Sequence, residues 1–217
     1  MVTDSNHLNS NSCKRQILDI HAILLYYISE DVSIVELKKE KRYTYEDYIK
    51  WNDDVRREII NGEVYAMASP SQLHQRTSAL LHYKLTGFLL GKTCRAYAAP
   101  FDVRLAVNQF DDIIVQPDLV VICDHSKLED GKSCKGAPDM AVEIISESTA
   151  RRDRITKLNL YSKAGIREYW IVDPIEKTVL VCLLEDGNYK VYGYEEADTI
   201  NIAVLEDCKI KLSEIFE

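Results

Sequence analysis

Two apolar runs, Leu119-Val-Val-Ile-Cys123 and Met140-Ala-Val-Glu-Ile-Ile145, have the composition and length of strands buried on both faces. Each also carries an acid where an apolar residue is expected. Asp118 opens the first run after Pro117, and Glu143 interrupts the second. An ionised carboxylate buried without a partner is costly enough to lose its charge or to demand a compensating one. Two of them suggest a shared counter-charge, and a divalent metal ion serves both.

Strand geometry decides which acids can share an ion. Ala141, Glu143 and Ile145 point to one face and Val142 and Ile144 to the other. Asp139 lies four residues before Glu143, ~13 Å along a strand. Two ligands of one magnesium ion lie within ~4 Å of each other, because each bond is ~2.1 Å. Asp139 is therefore read as the start of the strand. Asp118, on a neighbouring strand ~4.8 Å across the ladder, can meet Glu143 at one ion. An oxygen-only site suits Mg2+ or Mn2+, with water completing the coordination.

Such an ion acidifies a bound water and holds a phosphate oxygen as charge develops. Phosphodiester hydrolysis also benefits from a nearby lysine or arginine. Two residues past Glu143, where a strand lysine would share its face, stands Ile145; the nearest substitute is Lys157 in the next helix. Lys157 also follows Asp153 by four residues, the spacing of a solvent-facing ion pair, so both readings stay open. Arg151, Arg152 and Arg154 occupy the first turn of that helix, where the dipole disfavours cations. Either they form a phosphate-binding surface, or Glu147 and Asp153 neutralise them.

At 217 residues the chain can build one sizeable α/β core. Its net charge of −8 opposes bulk adhesion to nucleic acid but permits a local basic patch. The six cysteines (Cys13, Cys94, Cys123, Cys134, Cys182, Cys208) form no CxxC pair. They read as reduced, partly buried thiols of a cytoplasmic protein, without a disulfide framework. Residues 17–28 are apolar but much shorter than the ~20 residues of a bilayer span. They read as a packed or self-associating helix after a polar, disordered stretch at 1–12. Residues 1–40 are thus an N-terminal extension and 41–217 the domain.

Along that domain the sequence predicts a short helix over 45–51 after a Thr44 cap. A hairpin turns at Asn61-Gly62, and a long helix runs from Ser71 to near Gly91. Strands follow at 93–97, 101–106, 117–123 and 139–145, then a helix over 150–163 ending at Gly165. The last apolar strand is Glu168-Tyr-Trp-Ile-Val-Asp173, followed by a hairpin of 178–184 with 188–194. The core order is helix, three strands, helix, strand. The expected fold class is α/β, of the α+β kind with a mixed sheet.

The stretch from about Tyr43 to Phe216 resembles a large bacterial family of restriction-endonuclease-like proteins with the PD-(D/E)XK fold. The resemblance is carried by Glu58-Ile-Ile-Asn-Gly-Glu63, Ser69-Pro-Ser71 with His74-Gln75, and Pro117-Asp-Leu-Val-Val121. It continues through Gly136-Ala-Pro-Asp-Met-Ala-Val-Glu-Ile-Ile-Ser146, Ser148-Thr-Ala-Arg-Arg-Asp153, Lys157, Tyr161 and Gly165-Ile-Arg-Glu-Tyr-Trp-Ile-Val-Asp-Pro174. It implies a metal-dependent nuclease in which Asp118 and Glu143 are the metal-binding acids and Glu58 is an auxiliary acid. It also implies that the lysine usual two residues after the second acid, here Ile145, has migrated to Lys157.

The leading expectation is an Mg2+-dependent (or Mn2+-dependent) endonuclease acting on DNA, with a homodimer suited to cutting two strands. Two other readings remain at this stage: a catalytically weak nucleic-acid-binding or assembly module, and a metal-dependent hydrolase of small phosphoesters.

Overall fold

The computed structural model of the chain describes residues 41–105, 109–146 and 149–216. The expected N-terminal helix, Cys13 and Glu147 lie outside them. The described chain begins with α1 (Tyr45–Tyr48), β1 (Arg57–Ile60), β2 (Glu63–Ala66) and α2 (Gln72–Leu89). Next come β3 (Arg95–Ala98), β4 (Asp102–Arg104), β5 (Ile114–Val115), β6 (Leu119–Ile122), β7 (Ser133–Lys135) and β8 (Met140–Ile144). A π-helical segment (Arg152–Lys157) runs into α3 (Leu158–Ala164), followed by β9 (Glu168–Asp173), β10 (Thr178–Glu185) and β11 (Asn188–Glu195). The small strands β12 (Thr199–Asn201) and β13 (Lys209–Lys211) pair near the C-terminus. No helix among the described residues is long and apolar enough to cross a membrane.

The main sheet has six strands in the order β11-β10-β9-β8-β6-β3. β3, β6 and β8 pair antiparallel, and β9 joins β8 in parallel, which requires the helical crossover. This is the predicted core order. Alternation along β8 sorts its residues between two cores. Met140, Val142 and Ile144 pack with Leu81, Leu85 and Leu89 of α2, while Ala141 and Ile145 pack with Leu160 and Tyr161 of α3. Glu143 falls on the α3 side by the same alternation. Both faces of β8 and β9 are covered, which accounts for their nearly continuous apolar sequence.

A second sheet, β2-β1-β5-β4-β7, was not foreseen. The predicted strand at 101–106 shortens to Asp102–Arg104 and joins this sheet, pairing with β5 and β7. Pro100 has no N–H for a ladder, and the chain leaves the main sheet there. Gln116, Pro117 and Asp118 then carry it from β5 in the second sheet back to β6 in the first.

The β1–β2 hairpin turns through Asn61 and Gly62 with φ of 54° and 83°, the two left-handed positions of the tight turn. A Cβ on Gly62 would lie 2.0 Å from Arg42 Cγ, so the turn needs glycine for space as well as for φ.

The cysteine expectation is corrected. Cys94 and Cys123 form a disulfide, whereas Cys134, Cys182 and Cys208 are free and buried. Arg95 pairs with Ile122 in the β3–β6 register, and one further step places Cys94 beside Cys123. Their separation of 29 residues carries no such signal, because only the strand register brings them together.

Candidate active site

The β6–β8 register pairs Leu119 with Val142, so its next step sets Asp118 across from Glu143. Asp118 Oδ2 accepts the Ile144 N–H at 2.8 Å and faces His74 Nε2 at 3.1 Å. Ser71 caps α2 by accepting the His74 N–H, which fixes the helix end that delivers the imidazole. Asp118, Glu143, Glu58, Lys157, Asp153, His74 and Arg152 all line one cleft of about 410 Å³.

Lys157 is the centre of the cluster. Its side chain is only 3% exposed, and its ammonium donates to Glu58 Oε1 and Glu143 Oε1, each at 2.8 Å. Asp153 Oδ1 stands 3.7 Å away. The i,i+4 pair foreseen for solvent therefore lies inside the protein and includes two further carboxylates. Ile145, two residues past Glu143, is 5% exposed and belongs to the apolar core.

Tyr161 donates its hydroxyl to Glu143 Oε1 at 2.7 Å, and Gln116 donates its backbone N–H to Glu58 Oε1 at 3.0 Å. Among the described residues nothing donates to Glu58 Oε2, and that oxygen is buried.

Three carboxylates, Glu58, Glu143 and Asp153, gather around the ammonium of Lys157, while Asp118 faces His74, and Arg56 and Arg152 line the same cleft. Burial pushes Glu143 well above the ordinary carboxylate range against the pull of Lys157, and the charges of Asp153, Asp118 and Glu58 add to that push. Burial likewise raises Asp153, against the opposing pull of Lys157. Lys157 moves upward because the charges of Glu143, Glu58 and Asp153 exceed the downward effect of its desolvation. For His74, desolvation acts downward, but the bond and charge of Asp118 prevail and the imidazole is raised.

A hard divalent cation fits this donor set. Among the described residues no hydrogen bond is directed at Asp118 Oδ1 or Glu143 Oε2, and Glu58 Oε2 is orphaned. No preformed group of three or more His, Cys, Asp or Glu ligands occurs among the described residues. Magnesium does not need one, since it commonly uses one or two carboxylates and keeps several waters.

Of the three helix arginines, Arg152 lines the cleft, Arg154 donates to Asp173 at 3.1 Å, and Arg151 is exposed. Asp139 acts as the start of its strand, accepting the Cys123 N–H at 2.6 Å and pairing with Arg167. His74, Asp153, Tyr161, Gln116 and Arg56 are constituents of the site that single-residue reasoning did not select. Asp153 had the spacing of a surface pair, and only its burial reverses that reading.

Comparison with known proteins agrees with this architecture. A crystal structure described as a putative nuclease belonging to DUF820, from Anabaena variabilis, superposes with a TM-score of 0.66 at 17% identity. That match covers 80% of this chain and 97% of the other, and it shows the restriction-endonuclease-like fold. An uncharacterized protein of Synechocystis is 26% identical over 163 residues, covering 72% of this chain and 83% of the relative. Residues 45–213 match the Uma2 family, described as "Putative restriction endonuclease", and the chain belongs to that family.

Proposed function

We propose that the protein is an endonuclease that hydrolyses phosphodiester bonds of DNA, with Mg2+ or Mn2+ held by Asp118 and Glu143. The observation that carries this reading is the placement of Asp118 across from Glu143 in the cleft, with Glu58 Oε2 buried and without a donor among the described residues. Bound there, such an ion acidifies a water and withdraws charge from a phosphate oxygen.

The chain's own groups divide the remaining work. Lys157, held protonated by its neighbours, is unsuited to act as a base; it supplies fixed positive charge and N–H donors beside the reacting group. Glu58 Oε2 is the acceptor available to orient a water. Tyr161 and Lys157 both bind Glu143 Oε1, which leaves Oε2 for the ion and sets the orientation of the carboxylate. His74 and the Ile144 N–H hold Asp118 through Oδ2 in the same way. A homodimer would provide two such clefts for the two strands of a duplex.

The test is Mn2+ binding by calorimetry combined with cleavage of plasmid DNA. The parent protein should bind Mn2+ and cut, while Asp118→Asn and Glu143→Gln should lose both properties. A parent that binds no divalent ion would overturn the metal-dependent reading and favour a binding module.

A further inference from the structure

Two guanidinium groups border the acid cluster, and each has a buried nitrogen without a hydrogen-bond partner among the described residues. These are Nη2 of Arg56 and Nε of Arg152. Both residues line the cleft with Asp118, Glu143 and Lys157. They come from different elements, Arg56 immediately before β1 and Arg152 at the start of the π-helical segment, yet both gather beside β2. Arg152 lies over the Tyr65 ring at 5.3 Å, and the Arg56 carbonyl accepts the Met67 N–H at 2.9 Å.

Direct pairing with the acids does not account for them, although the charge of Arg152 favours the ionised form of Asp153. The cleft carboxylates take their hydrogen bonds from Lys157, Tyr161, His74 and the backbone N–H groups of Gln116 and Ile144. Among the described residues neither arginine forms an ion pair with any of them. Arg56 is nonetheless held in place. Its Nε donates to Gln116 Oε1 at 3.1 Å, and the Gln116 amide is fixed in turn by Tyr48 and Asp102. An arginine keeps its charge at any working pH, and leaving a buried charged donor unpaired is costly. A planar fork oriented at one end and unpaired at the other suits an incoming anion with several acceptor oxygens.

We infer that Arg56 and Arg152 form a clamp for a backbone phosphate of a DNA strand, next to the acids that would hold the cation. This rests on the nuclease reading of the cleft and names the groups that hold the strand there. Contacts of this kind position a nucleic acid without reading its sequence.

The experiment measures binding of a short fluorescein-labelled DNA duplex in Ca2+ by anisotropy across a salt series, alongside Mn2+ calorimetry. Arg56→Gln and Arg152→Gln should each weaken duplex binding about tenfold and reduce the log–log salt slope by about 0.9, the loss of one phosphate contact. Mn2+ affinity should not fall, because removing a positive charge beside the acids favours a cation there. Arg56→Lys should restore the slope but only part of the affinity, because it keeps the charge without the fork. If Arg56→Gln fails to fold, Arg152→Gln carries the test.

Duplex affinity and slope unchanged in the Gln variants would overturn the clamp, as would a parent that binds no duplex. A parent that binds no Mn2+ but whose duplex binding still depends on the two arginines would defeat the metal reading and leave the clamp standing.

Discussion

Lys157 and Glu143 lie fourteen residues apart in sequence and share a buried hydrogen bond of 2.8 Å, one on the crossover helix and the other on the strand it follows. Fully buried ion pairs of this kind are weak sources of net stability, but breaking one leaves its partners uncompensated. Lys157→Met should therefore destabilise the metal-free protein by about 3–5 kcal/mol. Added Mn2+ should raise the melting temperature of this variant more than that of the parent, because the cation replaces the missing charge. Thermal melts with and without Mn2+ read both effects.

The raised Glu143 and Asp153 carboxyls set the sign of the pH dependence. Between the unfolded Glu value near 4.5 and its higher folded value, the folded protein holds protons that the unfolded chain has released. Stability of the metal-free protein should consequently fall as pH rises through that window. Glu143→Gln should flatten the fall. Mn2+ binds the ionised form, so its affinity should increase over the same pH range. Urea unfolding and calorimetry at a series of pH values measure the two trends.

Asp118→Asn keeps an oxygen that can accept the Ile144 N–H but removes the charge. It should fold with a melting temperature near or above that of the metal-free parent. The parent should gain about 2.7 kcal/mol from Mn2+ at a hundredfold excess over its dissociation constant, and the variant should gain nothing. Circular dichroism melts across an Mn2+ titration decide it.

Peptide mapping without reduction should recover the Cys94–Cys123 cross-link. Cys134, Cys182 and Cys208 should alkylate only after denaturation, since all three are buried. Mass spectrometry of native and denatured samples checks both statements.

Much of the main sheet was legible because its determinants are local. Apolar runs mark β6, β8 and β9, Asn61-Gly62 marks a hairpin, and Ser71 marks a helix start. The second sheet was not, because β5 and β7 are too short to leave a periodic signal and take their identity from their neighbours. Asp118 and Glu143 stood out as acids in apolar runs. Lys157 could be named only as the nearest available lysine, and its burial beside Asp153 depends on how the π-helical turn docks against the sheet. Arg56 gave no signal at all. Its position follows from Gln116, which lies sixty residues downstream in sequence.

Gln116 has a mechanical consequence. Its backbone N–H holds Glu58, its amide donates to Tyr48 and Asp102, and its carbonyl oxygen accepts from Arg56. It also belongs to the three residues that carry the chain from one sheet to the other. All of these partners lie in the second sheet or in the segments leading into it, so Gln116 anchors the crossing to that sheet and holds Glu58 and Arg56 as one unit. On the nuclease reading, a duplex entering the cleft would meet this unit already rigid, and its own stiffness would count in binding as well as its charge.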